Sequence, residues 1–189
     1  MTYVSSMSDT AERTDAQVVR DVLSGDRDAF RLLVRRYGDV LYGHALKLVG
    51  TPDEASDLAQ RAFVRGYQKL ASCRDPDRVG AWLFRILSNL AKDHLRSPKR
   101  REISLDRIPE IPGRTGGGLD PAERGEIRGR LELAMGRLTP EQREAFVLKH
   151  LDGRSYEEMA AALDVSVASL KMRVVRAREA LREMLEDYR

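Results

Sequence analysis

Cysteine is almost missing from this chain. Cys73 is the only one in 189 residues, which excludes an internal disulfide or a cysteine-cluster metal site and points to a reducing compartment. Aromatic residues make up only 6%, and no stretch alternates β-branched with polar residues as a half-buried strand would. No apolar run approaches the ~20 residues that cross a bilayer. Met1 to Gln17 lacks the apolar core of a signal peptide, so the first residues read as a polar tail in which Met7 is a second candidate start. The three histidines, His44, His94 and His150, are scattered, with no Cys or Glu-x-x-His partner, and Gly116 to Gly118 adjoins neither a strand nor a phosphate-binding motif. Catalysis, a metal and a cofactor are therefore not expected. Charged residues, by contrast, reach 33% and balance to a net +3. Any nucleic-acid surface must then come from local clustering. Abundant Arg, Leu, Ala and Glu complete the picture of an all-α, soluble, cytoplasmic protein.

The most informative stretch is Ser155 to Leu181, SYEEMAAALDVSVASLKMRVVRAREAL. Ser155 and Glu158 form a capping box, and Tyr156, Met159, Ala160 and Leu163 follow at i, i+3, i+4 and i+7. Asp164-Val165 breaks the pattern, and Ser166 can cap a second helix that buries Val167, Leu170, Val174, Ala177 and Leu181. Two helices with so tight a turn predict a helix-turn-helix. Helical geometry leaves Ala168, Ser169, Met172, Val175 and Arg176 pointing outward, flanked by Lys171 and Arg173. Small residues at the start and Lys171, Arg173, Arg176 and Arg178 beyond them suit a major groove. A basic, solvated face on a plain helical hairpin is the competing reading; the two caps and the short turn favour DNA.

Upstream, Asp15 to Leu23 predicts a short helix stopped by Ser24-Gly25. A second runs from Asp26 to Gly50 with Phe30, Leu33, Val34, Tyr37, Leu41, Ala45 and Leu48 on one face. Thr51-Pro52-Asp53-Glu54 reads as an N-cap, a first-turn proline and a capping box. Its helix carries Ala55, Leu58, Ala59, Ala62, Phe63, Tyr67 and Leu70. After a loop, Ala71 to Arg78, a fourth helix carries Val79, Trp82, Leu83, Ile86, Leu87, Leu90, Ala91 and Leu95. From Arg74 to Arg101 there are eight basic residues against three acidic ones, a local excess that a favourable helix end alone does not explain.

Prolines and Gly116-Gly117-Gly118 then mark a linker too long for an ordinary loop. The expected organisation is a tail (1–14), a four-helix unit (15–97), a linker (98–119) and a second four-helix unit (120–189). In the last, Asp120-Pro121 starts a helix with Ile127, Leu131, Ala134, Met135 and Leu138. Thr139-Pro140-Glu141-Gln142 boxes another, with Phe146, Val147, His150 and Leu151, that stops at Asp152-Gly153. Two basic helical units on a tether should bind two separated DNA elements, with spacing limited by the linker.

At these motifs the chain resembles the extracytoplasmic-function (group IV) sigma factors of bacterial RNA polymerase. Leu138 to Leu185 looks like sigma domain four. TPDEASDLAQRAFVRGYQKL (Thr51 to Leu70) is similar to the core-binding segment of sigma domain two, and GAWLFRILSNLAKDHLRSPKRR (Gly80 to Arg101) to its promoter-melting, minus-ten-reading helix. The resemblance implies that Asp57, Gln60 and Phe63 dock on the β′ clamp of core polymerase, with Phe63 as much core as contact. It implies that the loop Arg74 to Gly80, with Arg74 and Arg78, holds a base flipped from the opened strand. Asn89, Lys92, Asp93 and Arg96, on the exposed side of the fourth helix, would line the minus-ten element. Ser169, Lys171, Met172, Arg173, Val175 and Arg176 would meet the minus-thirty-five groove. The partners implied are core polymerase (β′ clamp and β flap), promoter DNA and a cognate anti-sigma factor, with no membrane insertion.

Four positions depart from the family pattern. Arg61 and Ser56 stand where an acidic residue is common, Asp164 where glycine is usual, and Met172 where a small hydroxylated residue is typical. Asp tolerates the left-handed conformation, so the turn should survive. Met172 offers an apolar contact, such as a thymine methyl, but no strong hydrogen bond. The competing functions are a stand-alone helix-turn-helix regulator, which leaves the first unit unused, and a protein-binding adaptor without salt-dependent DNA affinity. The promoter sequence, regulon, inducing signal, any redox role of Cys73 and the identity of an anti-sigma factor are not written in these residues.

Overall fold

The computed structural model describes residues 13–97 and 120–186. Most of the expected tail, the linker 98–119 and the basic run Lys99 to Arg101 lie outside the described residues. Among the described residues every regular element is helical. The N-terminal unit comprises α1 (Asp15–Leu23), α2 (Phe30–Val49), α3 (Pro52–Gln68) and α4 (Val79–Arg96), and the C-terminal unit α5 (Pro121–Arg137), α6 (Pro140–Phe146), α7 (Tyr156–Leu163) and α8 (Val167–Glu186).

Local chemistry accounts for most helix ends. Thr14 and Gln17 close a capping box on α1: the Gln17 N–H donates to Thr14 Oγ1 at 3.2 Å and the Thr14 N–H to Gln17 Oε1 at 2.7 Å. Helix α2 stops at Gly50, whose φ of 84° lets its N–H return to the Leu46 carbonyl at 2.7 Å. The box expected at Thr51 forms differently. The Thr51 hydroxyl donates to the Glu54 carboxylate at 2.7 Å, and the Thr51 side chain makes no bond to the helix backbone. The Glu54 carboxylate is shared with His94, 3.1 Å away near the end of α4. The boxes at Thr139–Gln142 and Ser155–Glu158 form as expected.

Leu33, Leu41, Leu48, Leu58, Leu83 and Leu87 are fully buried where α2, α3 and α4 meet. Two glycines set those crossings. A Cβ on Gly66 of α3 would run into the Leu83 side chain, and one on Gly80 of α4 into the Tyr37 ring. Tyr37 in turn donates its hydroxyl to Asp15, which also pairs with Arg36 at 2.6 Å. Burial first, then the bond to the carboxylate, pushes the Tyr37 pKa up to about 12. Val34, expected inside, is 39% exposed.

A further expectation needs correcting. Helix α6 does not run on to Asp152; after Phe146 the backbone widens over Val147–Leu151 into i→i+5 bonding, and the Asp152 N–H reaches the Val147 carbonyl at 2.9 Å. Val147 is buried as expected, but His150 and Leu151 face outward. The two units also share a boundary. Their apolar residues form one continuous cluster, because α4 is covered on one side by α2 and α3 and on the other by α6 and α7.

Candidate nucleic-acid interface

The helix-turn-helix is built as its sequence requires. The Ser155 hydroxyl accepts the Glu158 N–H at 3.1 Å, and the Ser155 N–H donates to the Glu158 carboxylate at 2.7 Å. Asp164 closes α7 in the left-handed conformation, φ 58° and ψ 47°. Ser166 accepts the Ser169 N–H at 3.2 Å, capping α8. Leu170, Val174, Ala177 and Leu181 are buried, while Val167 is only half-buried. The opposite face carries Lys171, Met172, Val175 and Arg176, all exposed, with Ser169 and Arg173 half-buried at its edges. Lys171 Nζ stands 5.7 Å from the centre of the Tyr156 ring, close enough for a cation–π attraction that helps hold it.

One face feature was not legible in the sequence. Val175 also borders an open apolar groove of about 750 Å³ lined by Leu131, Phe146, Leu181 and Leu185, with Arg178 and Arg182 on its rim. It forms because α5 lies across α8, a pairing of distant helices that periodicity does not reveal.

On α3, Asp57 and Gln60 are exposed and Phe63 is buried, its ring edge-on to Phe30 at 6.5 Å. Arg61 reaches back one turn to Asp57 at 3.2 Å, so the basic residue that departs from the family pattern partly neutralises the carboxylate beside it. Trp82 is half-buried and packs against the core. Arg74 and Arg78 are exposed beside the short turn Pro76–Arg78, where Arg78 lies 3.7 Å from Asp75. Burial raises the Cys73 thiol pKa, and its Sγ donates to the Asp75 carbonyl at 3.4 Å, so the thiolate is scarce.

The expected exposed face of α4 is only partly exposed. Asn89 and Asp93 face solvent. Lys92, in contrast, keeps 18% of its side-chain surface, because Glu144 of α6 lies 3.4 Å from its ammonium. Ser88, fully buried, donates its hydroxyl to the same carboxylate. Arg96 pairs with Glu141, and Arg85 with Asp164 at 2.9 Å. On the other side of this contact, Asp152 accepts from His44 Nδ1 at 2.8 Å and from Lys47. Burial favours the neutral acid at Asp152, but the two hydrogen bonds and their charges outweigh it and hold the carboxyl below its usual value of 3.8. Sequence reading missed these pairs because each joins residues far apart in the chain.

The comparisons agree with this architecture. The sigma-70 region 2 family matches residues 33–101, which run from within α2 through α4. The sigma-70 region 4 family matches residues 128–181, which hold the helix-turn-helix. The RNA polymerase sigma-H factor of Pseudomonas aeruginosa is 32% identical over 93% of this chain and 95% of its own length. The extracytoplasmic-function sigma-E factor of Escherichia coli is 35% identical over 89% of this chain and 92% of its own. Among solved structures, CnrH in complex with the cytosolic domain of CnrY matches with a TM-score of 0.59 and 30% identity, covering 92% of this chain and 97% of that one. The sigma factor RpoE of Bartonella quintana, solved with the anti-sigma factor NepR, matches with a TM-score of 0.58 and 29% identity, over 85% and 98%. The chain belongs to the extracytoplasmic-function sigma factors of the sigma-70 superfamily, initiation subunits that direct RNA polymerase to promoters.

Proposed function

We propose that this protein binds core RNA polymerase in the cytoplasm, places α8 in an upstream promoter element and opens DNA downstream with its N-terminal unit, without chemistry of its own. The observation that carries this reading is the order of the two sigma-70 regions along one chain, joined to an open basic helix, α8, that is capped and turned as a groove-reading helix must be.

Each surface takes a role by its chemistry. Lys171 and Arg176 supply cations to phosphates or guanine edges, and Met172 and Val175, 51% and 42% exposed, supply apolar contact. Ser169 and Arg173 flank them. Asp57 and Gln60 offer an acceptor and an amide to a basic helix of the β′ clamp, with Phe63 fixing the pitch of α3 from beneath. The groove between α5 and α8 suits an apolar helix of the β flap. Arg74 and Arg78 frame the loop that receives an extruded base. Asn89, Lys92, Asp93 and Arg96 line the melted element. Opening needs no nucleotide hydrolysis: base capture costs a few kcal/mol, returned by contacts in the open state, and so biases the closed-to-open equilibrium. The solved relatives with CnrY and NepR bound support an anti-sigma partner here as well.

The test is reconstitution with bacterial core polymerase and run-off transcription on a library of randomised promoters. Enriched templates sharing two elements at fixed spacing are expected. Absence of core binding by the purified, inhibitor-free protein would overturn the proposal in favour of a stand-alone regulator.

A further inference from the structure

A cavity of about 330 Å³ lies where α2, α4, α7 and the widened turn come together. Its walls are apolar and held in place. Phe84 of α4, Leu148 of the turn and Met159 of α7 are all buried. Tyr37 of α2 joins them, its ring lying where a Cβ on Gly80 would stand and its hydroxyl bonded to Asp15. Ala81 and Ala162 add only a methyl each, so the helices meet without filling the gap. The tie of Asp152 to His44 and Lys47, at a smaller cavity that shares Phe84 and Arg154, keeps the two walls together.

The charges around this space do not balance. Arg154 faces Glu158 across 3.8 Å, both about half exposed. Asp77, in the short turn Pro76–Arg78, also lines the cavity, is exposed, and pairs with no cation among the described residues. One carboxylate is therefore left over beside an aromatic and aliphatic slot. Largely apolar cavities of this size with a few polar groups at the edge are the ordinary form of a small-molecule site.

We propose that this cavity binds a small aromatic amine as its monocation. The ring lies among Tyr37, Phe84, Leu148 and Met159, where edge-to-face and sulfur–aromatic contacts add to burial. The ammonium bonds to the Asp77 carboxylate, a charge-assisted contact that neutralises the spare charge. A neutral ring would leave Asp77 unpaired, and an anion would meet two carboxylates against one arginine. At about 30 Å³ per non-hydrogen atom, the share of a water in the liquid, the space takes about eleven such atoms. Walls drawn from both units mean that an occupant touches each of them and raises the thermal midpoint as its concentration grows. The site is separate from the promoter-reading surfaces and stands or falls without them.

The test uses the full chain, without polymerase or DNA. The probe is 2-phenylethylamine, just under the size limit, with 2-phenylethanol and 3-phenylpropionate as its neutral and anionic counterparts. Binding is followed by calorimetry and by the thermal midpoint. The amine should bind saturably, with a dissociation constant on the order of 1 mM, and more tightly than either counterpart. Asp77→Asn should weaken the amine at least fivefold and leave the alcohol unchanged. Asp53→Asn, which removes an exposed carboxylate of α3 that does not line the cavity, should change neither. Ala162→Leu, which fills the space, should weaken amine and alcohol alike by at least tenfold. Should that variant lose its helices by circular dichroism, Ala81→Leu takes its place with the same expected loss. No saturable binding, equal affinity for the anion, an equal loss in Asp53→Asn, or full affinity in the filled variant would overturn the site.

Discussion

Ser88 of α4 donates its hydroxyl to the carboxylate of Glu144 of α6, and neither side chain reaches solvent. Fifty-six residues separate them in the chain. A serine buried on the helix assigned to DNA, and a glutamate buried on the unit meant to be tethered, explain each other. They also bring Lys92 into the same site, and the energetic consequences can be measured.

Lys92→Met leaves the Glu144 carboxylate buried with Ser88 alone. Breaking one partner of such a pair costs about 3–5 kcal/mol while the units stay docked. Denaturant midpoints should fall in Lys92→Met, and the double variant Lys92→Met, Glu144→Gln should recover much of the loss, because an amide carries no stranded charge. Equal stability of the single and double variants would show that Glu144 is hydrated in solution.

Gly66→Ala and Gly80→Ala place a methyl against Leu83 and Tyr37, respectively. Neither glycine has a positive φ, so the penalty is steric, of the overpacking kind, about 1–3 kcal/mol. Thermal denaturation should show both as destabilised. Gly43→Ala, on α2 with open space around its Cβ, should be neutral or better, since alanine is the better helix former.

Acid should loosen the Asp152 tie. A carboxyl held below 3.8 in the folded protein contributes stability that is present above the unfolded pKa and lost as pH falls through the lower, folded value. Stability of the parent should therefore decline from about pH 4 downward more steeply than that of Asp152→Asn, by urea melts at matched ionic strength. Parallel curves would mean that His44 and Lys47 do not hold this carboxylate in solution.

Asp164 pairs a left-handed backbone with an outward carboxylate. Asp164→Gly should keep or improve the turn, whereas Asp164→Val should lose about 1–2 kcal/mol, because a β-branched residue resists φ near 58°. Affinity of α8 for an enriched upstream duplex should survive the first change and weaken with the second.

Arg61→Ala frees Asp57 from a pair whose side chains are both more than half exposed. Exposed pairs are worth about 0–1 kcal/mol, so core polymerase affinity should rise by no more than about fivefold. Asp57→Ala should lower it. A drop in both variants would assign the polymerase contact to Arg61 itself.

The helices, their caps and the helix-turn-helix were legible because each rests on near neighbours: Ser155 with Glu158, Thr139 with Gln142, Asp164 within its own turn. The face of α8 followed from the same spacing. What escaped was long-range. Lys92 reads as exposed because its own helix leaves it outside the N-terminal core, and only α6 covers it. Val34 reads as buried because its spacing suits the stripe, yet it stands 39% exposed at the edge of α2. Glu144 gives no local hint of burial, being a charged residue in a run of them. The groove beside Val175 depends on how α5 crosses α8, and the chain that leads into α5 is a linker with no periodic signal.

The widened turn over Val147–Leu151 carries a last implication. An ordinary helical continuation would advance each following residue by about a hundred degrees, whereas the i→i+5 step holds one residue more in the same turn. That wider step ends at Asp152, whose carboxylate accepts from His44 and Lys47. Joining the two halves of the protein is therefore a matter of counting as much as of chemistry. Substitutions within 147–151 that keep the length should be absorbed as ordinary changes of packing. Removing one residue would return α6 to a regular helix, leave every side chain of the tie present in the sequence, and aim the carboxylate elsewhere.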